Sequence, residues 1–260
     1  MAAEPHEEII MAGLFYQLGK KVGPKLRKAK WAWAAATAPE AEVIAAERAA
    51  GADLACCVRQ ERPLCADPEF VELVTTTGAA LAGRVKNKLR AFDFVCLSGD
   101  RPEAFCLPGG FVFVSRPMLD MCEGKPDPLA FVLAHEIAHI LEGHVMERMV
   151  GSAVINMATQ SGVVGHVVTG AMGKLGVQFL EKAYSREQEY AADALGLRLA
   201  IAAGFDGQAA LTVFEKLAAL EQPGNPFKYF STHPEAEDRI AHLRRLLAER
   251  QHRDPGPASE

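Results

Sequence analysis

The chain has 260 residues, 49% hydrophobic and 23% charged, an ordinary globular composition that excludes a disordered or collagen-like chain. Its 28 basic and 33 acidic side chains leave a net charge of −5, which argues against a dedicated nucleic-acid binder. Six cysteines (Cys56, Cys57, Cys65, Cys96, Cys106 and Cys122) with no CxxC pair argue against a disulfide scaffold or a thiolate metal site, and are expected as free thiols in a reducing compartment.

The N-terminus is acidic rather than basic and lacks a small-residue cleavage site after Leu18, so no secretory signal is read there and a cytoplasmic location is expected. Residues 9–39 contain no Asp or Glu but hold Lys20, Lys21, Lys25, Arg27, Lys28 and Lys30, followed by Trp31 and Trp33. Residues 1–60 are therefore set apart as a basic, helical extension. Its stretch 14–33 either lies on an anionic membrane surface or packs as a solvated basic face, with Gly23-Pro24 interrupting a continuous amphipathic helix.

The main domain is expected over residues 61–251. A helix is predicted from Pro39 to Val58, and a second from Asp67-Pro68 to about Lys86, where Asp caps and Pro takes the first turn. Phe92–Leu97 alternates as a strand does. Ala104–Ser115 reads as a strand pair around Pro108-Gly109-Gly110, and no other part of the chain favours sheet. Asp127-Pro128 predicts a helix to about Val150. Met149–Gly173 carries no charged residue but many Gly, Ser and Thr, and reads as a lid or helical hairpin rather than a membrane span. Helices follow at about Ser185–Ala203, Gly207–Leu220 and Pro234–Gln251, and residues 252–260 read as a disordered tail.

Within the helix from Asp127 lies His135-Glu136-Ile137-Ala138-His139. Histidines at i and i+4 project from one helix face and can share a metal ion, while Glu136, about 100° further round, can reach a water without ligating the metal. The surrounding helix is apolar almost all round, and buried His and Glu need partners, which a metal supplies. A third ligand must come from elsewhere. The position six after His139 is Val145, and His144, five after, is read as a non-ligand. Glu189 and Asp193 share a helix face at i and i+4, with Tyr190, Ala191, Ala192, Ala194, Leu195 and Leu197 apolar around them. Glu189 is the candidate ligand, with Glu187 its competitor, and Asp193 the candidate acceptor from the far nitrogen of a ligand histidine.

HEIAH followed by SREQEYAAD resembles the HtpX-like and CAAX prenyl protease-like zinc metallopeptidases (family 48, gluzincins), over roughly Pro102 to Leu247. Ala104–Gly110 is similar to the strand segment before the family's metal helix, with Glu103 where the family usually has Asn. Ser231-Thr232-His233-Pro234 and Arg239-Ile240 resemble its late His-Pro segment. The resemblance implies a mainly helical, zincin-like α+β domain, with a small antiparallel sheet beside the HExxH helix. It further implies zinc-dependent endoproteolysis, often of damaged or misfolded proteins.

On this reading one zinc ion per chain is held by His135, His139 and Glu189, with Glu136 as general base toward water. His233 is the leading donor to the oxyanion, with Tyr184 and Arg186 behind it. Gly109, Gly110, Phe111 and Val112 are the candidate substrate-binding residues, pairing with an extended polypeptide by strand addition. The alternative is a proteolytically silent zinc-binding chaperone or adaptor module. An intact Glu136 favours the enzyme.

Overall fold

The computed structural model describes residues 39–151, 183–220, 232–233 and 236–253. The basic stretch 14–33, most of the uncharged run from Met149 to Gly173 and the last residues of the tail lie outside the described residues. Helices α1 (Glu40–Glu61) and α2 (Pro68–Arg84) lead into strands β1 (Asp93–Leu97), β2 (Ala104–Leu107) and β3 (Phe111–Ser115). Helices α3 (Arg116–Met121), α4 (Pro126–Leu141), α5 (His144–Gly151), α6 (Arg186–Ala202), α7 (Ala209–Leu220) and α8 (Ala236–Arg253) follow. The expected α+β, mainly helical architecture is present, and among the described residues no helix is long and apolar enough to cross a membrane.

The sheet departs from the expected antiparallel arrangement. Its order is β1-β3-β2, with β2 antiparallel to β3 but β1 parallel to it, so the sheet is mixed. The reason is topological. Pro108–Gly110 makes a tight turn that returns β3 against β2, whereas β1 reaches β3 only across the β2 hairpin, which brings both in with the same direction. Gly109 and Gly110 sit at φ 73° and 101°, a region L side chains rarely adopt. A Cβ on Gly109 would stand 2.3 Å from the Arg48 Cα of α1, and one on Gly110 would stand 1.9 Å from the Ala91 carbonyl oxygen. The turn is thus built for close backbone approach to α1 and to the lead-in of β1.

Helix α4 is the central element, with every residue from Pro128 to Ile140 buried. The sheet, α2, α6 and α7 pack around it, and Phe131 makes an edge-to-face contact with Phe214 of α7 at 5.6 Å. Its start differs from expectation. Asp127 does not cap; Lys125 takes the cap position, Pro126 begins the helix, and Asp127 instead accepts the Asp206 backbone N–H at 3.1 Å. Pro tolerates the first helical turn, and either proline could have opened the helix. Its end differs too. Gly143, at φ 74°, stops α4 and redirects the chain into α5, where a single helix to Val150 was expected.

Candidate metal centre

His135 and His139 stack one turn apart on α4, their Nε2 atoms 3.0 Å from each other. Helix α6 lies across α4 and supplies the carboxylates. Ser185 caps α6 in a capping box with Gln188, whose side chain also donates to Glu147 of α5 at 3.1 Å. The crossing is close because residue 196 is glycine: a Cβ there would meet the His135 Cα and N at 3.0 Å. Glu189 Oε1 then lies 3.3 Å from His139 Nε2, and Glu189 Oε2 lies 3.6 Å from His135 Nε2.

Each histidine's other nitrogen is also engaged. Asp193 Oδ1 is 3.0 Å from His135 Nδ1. His139 Nδ1 lies 3.1 Å from His144 Nδ1. The break at Gly143 turns His144 back onto His139, beside the group of His135, His139, Glu189 and His233 that could hold a metal. The Asp193 carboxylate favours a proton on His135 Nδ1, which leaves its Nε2 lone pair toward Glu189 and His139. Burial holds His139 well below the ordinary imidazole range despite the nearby Glu189, and it also lowers His144.

Arg239, which the sequence marks only within the late segment that resembles the family, has a role at this centre. It is fully buried, and it donates through Nε to Asp193 Oδ2 at 2.8 Å and through Nη2 to Asp193 Oδ1 at 2.6 Å. Its Nη1 is 2.5 Å from Glu189 Oε2 and 3.4 Å from the His233 carbonyl oxygen, and the guanidinium lies 4.4 Å over the Phe214 ring. One arginine thus holds both α6 carboxylates and leaves Glu189 Oε1 toward the histidines. Burial alone would raise the Glu189 and Asp193 pKa values. The Arg239 charge, with histidine contacts, outweighs it and holds Glu189 well below the usual carboxylate range and Asp193 below it. The signal was present in the sequence: Arg239 stands four residues before Leu243, on the apolar stripe of α8, where a solvated arginine has no place.

His233 also reaches the centre. The Tyr184 N–H donates to the Thr232 carbonyl at 3.1 Å, which ties the residue before His233 to the start of α6. His233 Nδ1 is 3.0 Å from Glu189 Oε1 and 3.4 Å from His135 Nε2, while its Nε2 is 3.6 Å from Glu136 Oε1. The structure therefore places His233 with the ligand atoms as well as beside the base. One donor atom from each of His135, His139, Glu189 and His233 falls within 4.8 Å of the others. Tyr184 stacks on His139 at 3.8 Å between centroids. Arg186 and Glu187 do not join; both are exposed, and Arg186 pairs with Asp238 at 3.5 Å. Glu103, where the resemblance has Asn, pairs with Arg62 at 2.8 Å.

This donor set fits a divalent cation. Three fully buried carboxyl groups (Glu136, Glu189 and Asp193) line the site, and the Arg239 guanidinium pairs with Glu189 and Asp193. A cation held among His135, His139, Glu189 and His233 would add positive charge beside these carboxylates. Both carboxylate oxygens of Glu136 are buried, and Oε1 lies 3.6 Å from His233 Nε2 among the donor atoms. Cys106 of β2 is buried next to Glu136, and burial followed by the Glu136 charge pushes its thiol well above the ordinary range, which keeps it a neutral wall of the site.

The expected substrate residues stand differently. Phe111 and Val112 lie on the central strand: β3 is paired along its length with β1 on one side and with β2 on the other. No strand can be added to it, so the expectation of substrate pairing through Phe111 and Val112 is corrected. Gly109 and Gly110 are likewise occupied, by α1 and by Ala91. The edge nearest α4 belongs to β2.

Comparison with known proteins agrees with this geometry. The family model for peptidase family M48 matches residues 71–247. The chain belongs to peptidase family M48. The mitochondrial metalloendopeptidase OMA1 of Schizosaccharomyces pombe is 38% identical over 152 residues, 58% of this chain and 45% of that protein. The metalloprotease LoiP of Escherichia coli is 28% identical over 184 residues, 69% of this chain and 71% of LoiP. The β-barrel assembly-enhancing protease of Escherichia coli is 28% identical over 205 residues, 72% of this chain and 41% of its own length. The chain thus spans less than half the length of the OMA1 protein it matches.

Proposed function

We propose that this M48 member is a zinc-dependent endopeptidase that hydrolyses peptide bonds in extended segments of unfolded or damaged polypeptides. The observation that carries the proposal is the convergence of His135, His139 and Glu189 on one point, with the buried Glu136 carboxylate beside it. Two nitrogens and one carboxylate oxygen suit zinc and leave a position open for catalysis. A bound zinc ion supplies Lewis-acid polarisation of the scissile carbonyl and acidifies water in the site.

The protein's own groups do the rest. Glu136 accepts a proton from the attacking water and delivers it to the leaving amine, a role its buried carboxylate beside the donor atoms suits. His233, with Nε2 3.6 Å from Glu136, is proposed as the donor to the developing oxyanion. Asp193 holds the His135 tautomer, and Arg239 holds Asp193 and Glu189 in turn. His144 and Tyr184 fix the His139 ring from its far nitrogen and from its face.

Strand β2 is the proposed substrate edge. Ser115 N–H donates to Glu103 O at 2.9 Å, so the pair 103:115 is hydrogen-bonded. Alternation along the ladder then directs the backbone groups of Ala104 and Cys106 away from β3. Backbone pairing there reads an extended chain rather than its sequence, which suits a broad peptidase. The basic stretch 14–33 is proposed to recruit the enzyme to anionic membrane surfaces, and liposome flotation that weakens with salt would support it.

The test is cleavage of unfolded casein by the full chain loaded with zinc. Activity that a chelator removes and zinc restores supports the proposal. Metal binding without any cleavage would favour a silent module.

A further inference from the structure

We propose that Cys65 and Cys96 form a dithiol–disulfide site that is oxidised by exchange with a small-molecule disulfide. The residues preceding α2 run along the edge of β1 that faces away from β3. Leu64 bridges Leu97 in antiparallel fashion. The bridge is flanked by two hydrogen bonds, Cys65 N–H to Cys96 O at 3.0 Å and Ser98 N–H to Pro63 O at 2.9 Å. One step from the bridge, therefore, Cys65 stands directly opposite Cys96 at a hydrogen-bonded position. Partners at such positions have Cα atoms about 5.5 Å apart and side chains on one face. Disulfides span Cα separations of roughly 4.4–6.8 Å, with a mode near that value.

The side chains share an environment as well as a register. Cys96 is buried in the core, and Cys65 is partly buried and packed against it. Burial, and after it the neighbouring Cys65 thiol, pushes the Cys96 thiol up to about 12. The other four cysteines offer no such pair: Cys56 and Cys57 are consecutive on α1, Cys106 faces Val112 across the ladder, and Cys122 is buried beyond α3.

Exposure sets the order of the chemistry. The Cys65 thiolate attacks one sulfur of the exogenous disulfide, whose S–S bond breaks to release one thiol and leave a mixed disulfide on Cys65. Cys96 then gives up its proton and attacks Cys65 Sγ, displacing the second thiol, which takes that proton. Two cysteine thiols are oxidised and one external disulfide is reduced to two thiols. The product closes a loop around α2 and β1 and pins the α1–α2 connector to the sheet edge. This inference is independent of the metal site.

The experiment uses the full chain, reduced and then incubated with oxidised glutathione. The expected product has lost two hydrogens, carries no glutathione at Cys65 or Cys96, and yields a Cys65–Cys96 linked peptide on non-reducing digestion. Closing a loop of this size should raise Tm by roughly 5–15 °C, reversibly with dithiothreitol. Cys65→Ser should lose both effects. Cys96→Ala should trap glutathione on Cys65, because the resolving thiol is gone. Stable glutathionylation of Cys65 in the unmutated chain, a linkage between other cysteines, or unchanged free thiols at both positions would overturn the proposal.

Discussion

Gly196→Ala tests the link between helix packing and metal geometry. A Cβ at Gly196 would stand 3.0 Å from the His135 Cα and N and 3.1 Å from the Ala134 carbonyl carbon. Ordinary contact begins near 3.4 Å, and these neighbours are backbone atoms of a helix buried from Pro128 to Ile140, with no room to yield. Helix α6 must therefore withdraw by a few tenths of an ångström. Overpacking of this kind costs about 1–3 kcal/mol, which for a domain of this size lowers Tm by roughly 2–12 °C. Asp193 lies three residues before Gly196 and Glu189 seven before, so the withdrawal stretches the 3.0 Å Asp193–His135 and 3.3 Å Glu189–His139 contacts together. Zinc affinity, read by competition with a chromophoric chelator, should weaken about tenfold or more. Gly83→Ala provides the control: nothing lies within 4 Å of a Cβ there, and the substitution should be neutral or slightly stabilising. Gly196→Ala with unchanged Tm and unchanged zinc affinity would refute the reasoning.

Further outcomes follow from the same contacts. Arg239→Ala leaves Asp193 and Glu189 buried without their guanidinium and should cost about 3–5 kcal/mol in denaturant unfolding. Asp193→Asn should keep the fold but weaken zinc affinity about 10–100-fold, because Asn cannot hold His135 and Arg239 with equal charge. Chelation should lower Tm reversibly, since it removes a cation that the folded site alone can gather. Ser185→Ala removes the cap of α6 and should cost about 1 kcal/mol while leaving metal stoichiometry intact. His233→Ala separates the roles open to that residue: a donor to the oxyanion lowers kcat at constant zinc affinity, whereas a ligand lowers affinity.

The elements were legible wherever short-range chemistry decides them. Asp67-Pro68 caps and opens α2 as its sequence requires, and Ser185 does the same for α6. The i, i+4 spacings of His135 with His139 and of Glu189 with Asp193 put these four side chains together because each helix is apolar around them. What stayed hidden depends on long-range contacts or on a single backbone angle. The parallel pairing of β1 with β3 is a property of the whole topology, and it moved the open sheet edge from Phe111–Val112 to β2. His144 was hidden by one left-handed glycine, Gly143, in a stretch whose composition reads as continuous helix. Arg239 was visible as a charge on an apolar stripe, but its partners lie 46 and 50 residues away in the sequence, beyond the reach of any local pattern.

The central claim is that Glu136 moves the proton in a metal-dependent hydrolysis. Its most direct test compares casein cleavage by the unmutated chain and by Glu136→Gln at equal zinc content. The account predicts that Glu136→Gln binds zinc as tightly, melts within a few degrees of the unmutated chain, and loses cleavage by at least about 100-fold. Equal cleavage by both proteins, insensitive to chelator, would contradict it.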